Sequence, residues 1–270
     1  MPTVHVNGAD VHYTDTGTPP SKPDAATVVF GHGLLFSGWM FAHQVEALED
    51  EYRCVTIDWR SQGQSPAARD GHDMDTLTRD LVALLDGMGL DCVHYVGLSM
   101  GGFVGMRLAA RHPDRVLSLT LINTSAGPEN PDMIRQDKLL ANVYLVTGIG
   151  PLRKPVQQIM FSPVSLDDPA VRARVDEWIG WLKKVDRAGM RRAVYGVAQR
   201  LPVADEIGGI RARTLVVVGA DDIPTPPDRG KEIAAGISGA RLEVVQDCGH
   251  SSTVEQPEIL TKLIREHLVG

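Results

Sequence analysis

The amino-acid sequence predicts an α/β fold in which helices flank a mostly parallel sheet of eight strands. Short continuous apolar runs, typical of strands buried on both faces of a parallel sheet, alternate with segments of helical periodicity. A Gly-X-Ser-X-Gly motif lies at residues 97–101, where one apolar run meets a helical segment. The chain has 270 residues, of which 43% are hydrophobic and 23% charged, so it can bury a sizeable core.

The first part of the chain alternates strands with helices. An antiparallel hairpin is predicted at the start, because the turn signal Asn7-Gly8 separates two β-type runs at residues 4–6 and 11–14. Strands are then predicted at 26–30, 53–57, 93–97 and 116–122, and helices at 39–48, at 74–88 and from the motif to 111. This alternation favours parallel pairing through right-handed crossovers.

The alternation is interrupted after the strand at 116–122. Helical stretches punctuated by prolines follow at 131–144, 155–160, 171–185 and 188–201. Strands resume at 213–219 and 241–245, with helices near 229–237 and 258–268. We therefore predict a core formed by residues 1–124 and 206–270 and an inserted helical lid formed by residues 125–205.

Composition argues against several classes of protein. The net charge of −7, with acidic and basic residues interspersed, provides no basic surface for nucleic acid and no polybasic stripe for a membrane. No apolar run approaches the length of a spanning helix, and the first residues do not resemble a secretory signal. Cys54, Cys92 and Cys248 lack metal-type spacing. We expect reduced thiols in a cytoplasmic protein without a metal site.

Ser99 is the predicted nucleophile. A tight strand-to-helix turn strains the serine backbone and requires neighbours without side chains, which Gly97 and Gly101 provide. The turn presents the hydroxyl at the positive end of the helix dipole. Because a serine hydroxyl is nearly inert at neutral pH, it needs a base within reach and a third group that orients the base.

His250 is the predicted base. Among nine histidines, it directly follows the last predicted strand, at the edge where open α/β sheets place their active sites. His32 also follows a strand, but it lies in the loop where oxyanion donors are expected. The other histidines fall on the hairpin, on helices, in a polar loop or on the serine strand.

The orienting acid is predicted after the strand at 213–219. Asp222 lies three residues beyond Gly219 and is preferred, with Asp221 or a carboxylate elsewhere as alternatives. In a variant arrangement the acid follows the strand that ends at Ile122, but Asn123 occupies that position. We interpret Asp58 mainly as part of a structural turn.

Two backbone amides are predicted to bind the developing oxyanion. One belongs to Met100, the residue after the nucleophile. The other is assigned to Leu34, because Gly31 and Gly33 allow that loop to turn inward. The alternative is that the loop is a tight solvent turn with no catalytic part.

Together these motifs resemble those of α/β-hydrolase-fold serine hydrolases. The resemblance covers the chain apart from the lid and rests on segments that occur in the family's order: Gly31-His32-Gly33, residues 58–65, 97–101 and 219–226, and Gly249-His250. Residues 97–102, 123–126 and 250–257 are similar to bacterial carboxylesterases, oxoadipate enol-lactonases and cofactor-free haloperoxidase-type perhydrolases. Ser61 and Gln62 depart from the pattern, since many relatives have Gly and His there.

The resemblance implies hydrolysis of a small carboxylic ester or lactone through an acyl-enzyme, without a cofactor. One alternative is an oxoadipate-type enol-lactonase of aromatic catabolism, which would need cations near the pocket for a dicarboxylate. Another is a non-catalytic small-molecule receptor. We expect pocket residues at Leu35 and, because they share a face of one lid helix, at Trp178 and Trp181. No nucleic-acid or membrane partner is predicted, and the oligomeric state stays open.

Overall fold

A computed structural model describes residues 2–269 of the protein. Its strands are β1 (Thr3–Val6), β2 (Ala9–Asp15), β3 (Thr27–Gly31), β4 (Arg53–Ile57), β5 (Val93–Leu98), β6 (Val116–Ile122), β7 (Arg213–Gly219) and β8 (Arg241–Val245). Each predicted strand is present, with its bounds shifted by at most a few residues.

The strands form one sheet in the order β1-β2-β4-β3-β5-β6-β7-β8. β2 pairs antiparallel with β1 and with β4, and all other neighbouring strands are parallel. The predicted mostly parallel sheet of eight strands is therefore confirmed. The hairpin is confirmed too: Val6 pairs with Ala9, and Asn7 and Gly8 have φ values of 46° and 80°. Positive φ at both turn residues is what a type I′ turn requires.

The helices of residues 2–269 flank this sheet and cover one end of it. They are α1 (Ala42–Leu48), α2 (Met74–Gly87), α3 (Met100–Arg111), α4 (Pro131–Thr147), α5 (Arg153–Met160), α6 (Pro169–Leu182), α7 (Arg187–Ala198), α8 (Pro227–Gly236), α9 (Ser252–Glu255) and α10 (Pro257–Val269). Of the α-helices among residues 2–269, only the short α9 is not predicted by the sequence.

Two apolar clusters lie on the two faces of the sheet. Successive strand residues point to opposite faces, so Val29 and Tyr95 join the cluster beneath α2, α3 and α8, whereas Phe30 and Val96 join the cluster beneath α1 and α10. Burial on both faces explains why these strands have continuous apolar sequences rather than alternating ones.

Helices α4 to α7 occupy the chain between β6 and β7. Their boundaries follow local chemistry: the side chains of Asn130, Asp168 and Asp186 accept backbone amides as N-caps of α4, α6 and α7. Pro131 and Pro169 stand at first helical positions, where a missing N–H costs nothing. The assignment of residues 125–205 as a lid stays a prediction.

Within residues 2–269, no helix combines the length and apolar character needed to cross a membrane.

Candidate active site

Ser99 occupies the tight turn between β5 and α3. Its φ of 51° and ψ of −108° are strained for a residue with a side chain. A Cβ at Gly97 would lie 2.5 Å from the carbonyl carbon of Gly101, and one at Gly101 would collide with the Gly31 carbonyl oxygen. The Ser99 amide donates to the Ile122 carbonyl at 2.8 Å. The neighbouring strands and the two glycines thus fix the turn.

His250 and Asp222 form a buried pair in the loops that follow β8 and β7. Nδ1 of His250 lies 2.9 Å from each carboxylate oxygen of Asp222. Thr225 donates its amide to Oδ1 at 2.9 Å and its hydroxyl to Oδ2 at 2.8 Å. Because the carboxylate is surrounded by donors, the imidazole proton belongs on Nδ1, and Nε2 is left as an acceptor.

Asn123 fastens the loop that carries His250. Its Nδ2 donates to the carbonyls of Gly249 and His250, both at 2.8 Å, and its Oδ1 accepts the Gly219 amide at 3.0 Å. The residue is fully buried and has a φ of 45°, which Asn tolerates better than most residues. Asn123 therefore joins the ends of β6 and β7 to the loop after β8.

Glu255 holds the same loop from the other side. Its Oε2 accepts the amides of Ser162 and Gly249 at 2.8 and 3.0 Å and the Ser165 hydroxyl at 2.5 Å, and its Oε1 accepts the Ser251 amide at 2.9 Å. The two loop amides belong to the residues on either side of His250. Burial raises the pKa of Glu255 more than these hydrogen bonds lower it.

Ser99 and His250 line one cavity of about 150 Å³ beneath α4, α5 and α7. Among residues 2–269, no hydrogen bond joins the Ser99 hydroxyl to His250. The structure thus brings His250 and Asp222 into direct contact and places Ser99 in the lining of the same cavity as His250.

The loop after β3 borders this cavity. Leu34 and Leu35 line it, and the amides of Leu34 and Met100 donate to no other group within the described chain. His32 stiffens the loop: its Nε2 accepts the Trp59 amide at 3.0 Å, so its Nδ1 donates to the Gly33 carbonyl at 2.7 Å. Burial lowers the pKa of His32 and keeps it neutral in this role.

The two residues that depart from the family pattern both have structural partners. Ser61 has a φ of 63°, a conformation that glycine adopts without strain, and its hydroxyl bonds to His72 at 2.9 Å and to the Ala68 amide at 2.9 Å. Gln62 Oε1 accepts the Leu35 amide at 3.0 Å. The glutamine thereby supports the loop that carries the candidate oxyanion donor.

Trp178 and Trp181 do not line the cavity that contains Ser99. Both line a neighbouring cavity of about 270 Å³, and Leu35 borders the two cavities. Trp178 stacks on Phe36 with ring centroids 4.8 Å apart and donates its indole N–H to the Leu35 carbonyl at 2.8 Å. Trp181 is 44% exposed. Their assignment to the substrate cavity is corrected because Leu35 and Phe36 stand between α6 and Ser99.

The other candidate acids have structural partners. Asp221 accepts the Ser162 hydroxyl at 2.6 Å. Asp58 contacts His12 at 3.1 Å and accepts two backbone amides, and these hydrogen bonds hold its pKa below the ordinary value in spite of burial. Within residues 2–269, no group of three or more His, Cys, Asp or Glu side chains could hold a metal ion.

The sheet order and the turn at Ser99 define the α/β-hydrolase fold. The sequence model of the family described as alpha/beta hydrolase fold matches residues 26–147. The chain has this fold, and the predicted resemblance is confirmed.

Individual relatives and solved structures are consistent with the α/β-hydrolase fold. The chain is 28% identical over 264 residues to a 2-hydroxy-6-oxononadienedioate/2-hydroxy-6-oxononatrienedioate hydrolase of Paraburkholderia xenovorans LB400, with 96% of this chain and 90% of the relative covered. An enol-lactonase structure from Burkholderia xenovorans LB400 superimposes with a TM-score of 0.91 at 28% identity, covering 100% of both chains. A thermophilic esterase from Thermogutta terrifontis gives 0.90 at 27% identity, covering 99% and 98%. These likenesses support an enzyme of the α/β-hydrolase type that acts on a small molecule.

Proposed function

We propose that the protein hydrolyses small carboxylic esters or lactones, with Ser99 as nucleophile, His250 as base and Asp222 as the residue that orients the base. The observation that carries the proposal is the buried contact of His250 Nδ1 with both carboxylate oxygens of Asp222, at 2.9 Å, on the rim of the cavity that contains Ser99. A neutral imidazole held in this way presents Nε2 as a proton acceptor toward that cavity.

In the first step, the Ser99 hydroxyl attacks the substrate carbonyl while His250 Nε2 accepts its proton. Negative charge develops on the carbonyl oxygen, which the amides of Leu34 and Met100 stabilise. One such donor contributes about 3 kcal/mol to the transition state. His250 then gives the proton to the leaving alcohol, and an acyl group remains on Ser99.

In the second step, His250 accepts a proton from water, which attacks the acyl carbonyl in place of the alcohol. The same two amides stabilise the second oxyanion, and collapse of the intermediate releases the carboxylic acid and returns the proton to Ser99. With a lactone, the alcohol released in the first step stays attached to the acyl chain, so one hydroxy acid leaves.

A second candidate is an enol-lactonase of the oxoadipate type. The likeness to the enol-lactonase of Burkholderia xenovorans LB400, with a TM-score of 0.91, favours it. Its chemistry requires the same residues, so that the difference lies in the substrate. The alternative to exclude is a receptor without catalytic activity. Measurable turnover of a substrate would distinguish either enzyme from such a receptor.

The test is a hydrolysis screen over p-nitrophenyl esters of increasing acyl length and several lactones. Replacement Ser99→Ala should lower kcat/KM by roughly 10⁴-fold or more. Ser252→Ala is the matched control, because Ser252 is also buried near His250 and its hydroxyl has no partner among residues 2–269. A Ser99→Ala protein that keeps most of the activity would refute the mechanism. Binding without turnover of any substrate would favour the receptor.

A further inference from the structure

The cavity that Ser99, Thr225 and His250 line is otherwise mostly apolar, and it contains two carboxylates. Glu129 and Asp137 line it together with leucine, methionine and aromatic side chains, and no lysine or arginine of residues 2–269 does. Asp137 extends from the middle of α4, and Glu129 lies in the loop before that helix. The two acids therefore belong to the chain segment that covers the cavity, on the opposite side from the sheet.

Glu129 has a cationic partner. Arg200 Nη1 donates to Glu129 Oε2 at 2.8 Å, and the arginine is buried, with 3% of its side chain exposed. Arg200 is fixed further by the Ser125 hydroxyl at 2.9 Å and by the Phe103 ring, whose centroid lies 4.1 Å from its guanidinium. The charges of Glu129 and Arg200 therefore largely cancel at the cavity.

Asp137 has no such compensation. Its carboxylate makes no hydrogen bond or ion pair with any residue of the described chain, although the residue is half-buried. Burial and the nearby Glu129 carboxylate raise the pKa of Asp137 to about 6, and Arg200 opposes this only in part. At neutral pH the cavity thus holds one uncompensated negative charge.

The cations of the neighbouring helices are directed elsewhere. On α7, Arg187 donates to the Val146 carbonyl, Arg191 donates to Asn142 Oδ1 at 2.6 Å, and Arg192 faces Asp186 at 3.9 Å. Lys138 lies over the Tyr195 ring.

Three further lid cations also lie outside the cavity lining. Arg135 pairs with Asp132, and Arg153 pairs with Asp176. Lys154 is exposed. The cavity lining includes none of the lid cations Arg135, Lys138, Arg153 and Lys154, so none of them is placed to bind a dicarboxylate there.

We propose that Asp137 makes this cavity selective for uncharged esters and lactones and excludes substrates that carry a carboxylate on the portion bound beneath α4. The proposal rests on the proposed function and assigns it a substrate class. It counts against the enol-lactonase candidate, which would act on a dicarboxylate, and it separates this protein from its relative whose name specifies a dioate substrate. Repulsion between two like charges across a cavity with mostly apolar walls corresponds to about 10- to 100-fold in kcat/KM.

The experiment compares p-nitrophenyl hexanoate with mono-p-nitrophenyl adipate, which has the same number of acyl carbons and a terminal carboxylate. The wild-type protein should prefer the hexanoate by at least about 10-fold. Asp137→Asn should reduce this preference by raising the rate with the adipate more than the rate with the hexanoate. Asp132→Asn is the matched control, because Asp132 is on the same helix, exposed and absent from the cavity lining.

The pH dependence of the preference adds a readout that a structural role of Asp137 would not change. The adipate ester stays ionised above pH 5.5, since an ordinary carboxyl group has a pKa of about 4.3. The preference should weaken as the pH falls from 8 through 6, where Asp137 takes up a proton, and it should be flat in Asp137→Asn. Taking the ratio of the rates with the two esters removes any pH dependence that the two reactions share.

Each outcome has a defined meaning. Equal use of both esters by the wild-type protein, or an unchanged preference in a folded Asp137→Asn protein, overturns the selectivity proposal and leaves ester hydrolysis intact. Turnover of neither ester counts against the proposed function instead. In that case, selectivity is tested by calorimetric binding of the two corresponding p-nitroanilides, which resist hydrolysis. Equal affinities for the two anilides overturn the selectivity proposal. Weaker binding of the anionic anilide to the wild-type protein, with binding restored in Asp137→Asn, supports the proposal. Asp137→Leu serves if the asparagine variant does not fold.

Discussion

Replacing Glu255 with glutamine tests whether one buried carboxylate secures the loop that carries His250. The carboxylate accepts four hydrogen bonds, two of them from the amides of Gly249 and Ser251 that flank His250. The glutamine oxygen can accept the three donors that now meet Oε2. Its NH₂ group would then face the Ser251 amide, so that two donors oppose each other.

The magnitude follows from these contacts. One buried amide without a partner costs about 1–3 kcal/mol, and three hydrogen bonds that change from charged to neutral acceptors lose about 1 kcal/mol each. Relief from burying a charge offsets part of this, because burial is the main cause of the raised pKa of Glu255. We expect a net loss of about 2–4 kcal/mol in the free energy of unfolding.

Urea unfolding followed by circular dichroism measures the loss, and kcat/KM with a neutral ester reports on His250. We expect a fall of about 10- to 100-fold, since a small displacement of a catalytic group has effects of this size. Glu258→Gln, at a position whose side chain is 81% exposed, is the control and should match the wild-type protein. An unfolding free energy within about 0.5 kcal/mol of wild type would refute the argument. Reduced stability with unchanged kcat/KM would mean that Glu255 does not position His250.

Two further predictions concern pH and packing. His72 has a pKa lowered to about 4, mainly by burial and then by Arg192 and Arg60, whereas the unfolded chain has an ordinary value near 6.5. The contribution of His72 to the free energy of unfolding is therefore complete above pH 6.5 and falls by about 3 kcal/mol as the pH drops to 4. The free energy of unfolding of His72→Gln, measured in urea, should depend less on pH over that range than that of the wild-type protein. Because the pKa of Asp137 is raised to about 6, its contribution to stability increases as the pH falls over the same range. Wild type and His72→Gln must therefore be compared at each pH. Gly101→Ala should prevent folding to the native state, because the added methyl group would collide with the Gly31 carbonyl. Gly87→Ala has open space around the new methyl group and should raise the free energy of unfolding by about 0.5–1 kcal/mol. Circular dichroism and thermal melting distinguish the two outcomes.

The sequence was sufficient to predict the sheet and the turn at Ser99 because both depend on local patterns. Continuous apolar runs identify strands buried on both faces, and Gly97 and Gly101 identify a turn that admits no side chain. Residues at the carboxyl ends of parallel strands meet at one edge, which is why Asp222 and His250 could be paired from their positions.

Contacts between segments that are distant in the sequence could not be predicted from the sequence. Asn123 contacts Gly249, which is 126 positions away in the sequence, and Glu255 contacts Ser162, which is 93 positions away. No sequence pattern around Asn123 or Glu255 indicates these partners. Trp178 was misplaced because helical spacing gives the face of α6 but not the loop against which that face packs. The orientation of Asp137 depends likewise on how α4 lies over the cavity.

Asn123 also bears on how this protein could evolve. The position after β6 is where the variant arrangement places the acid, and here it is occupied by an amide that donates to two carbonyls and accepts an amide at once. A carboxylate can supply only the acceptor. Moving the acid from Asp222 to position 123 would therefore break the link to the histidine loop in the same step that installs the new charge. A single substitution at position 123 therefore cannot move the acid without also loosening the loop after β8.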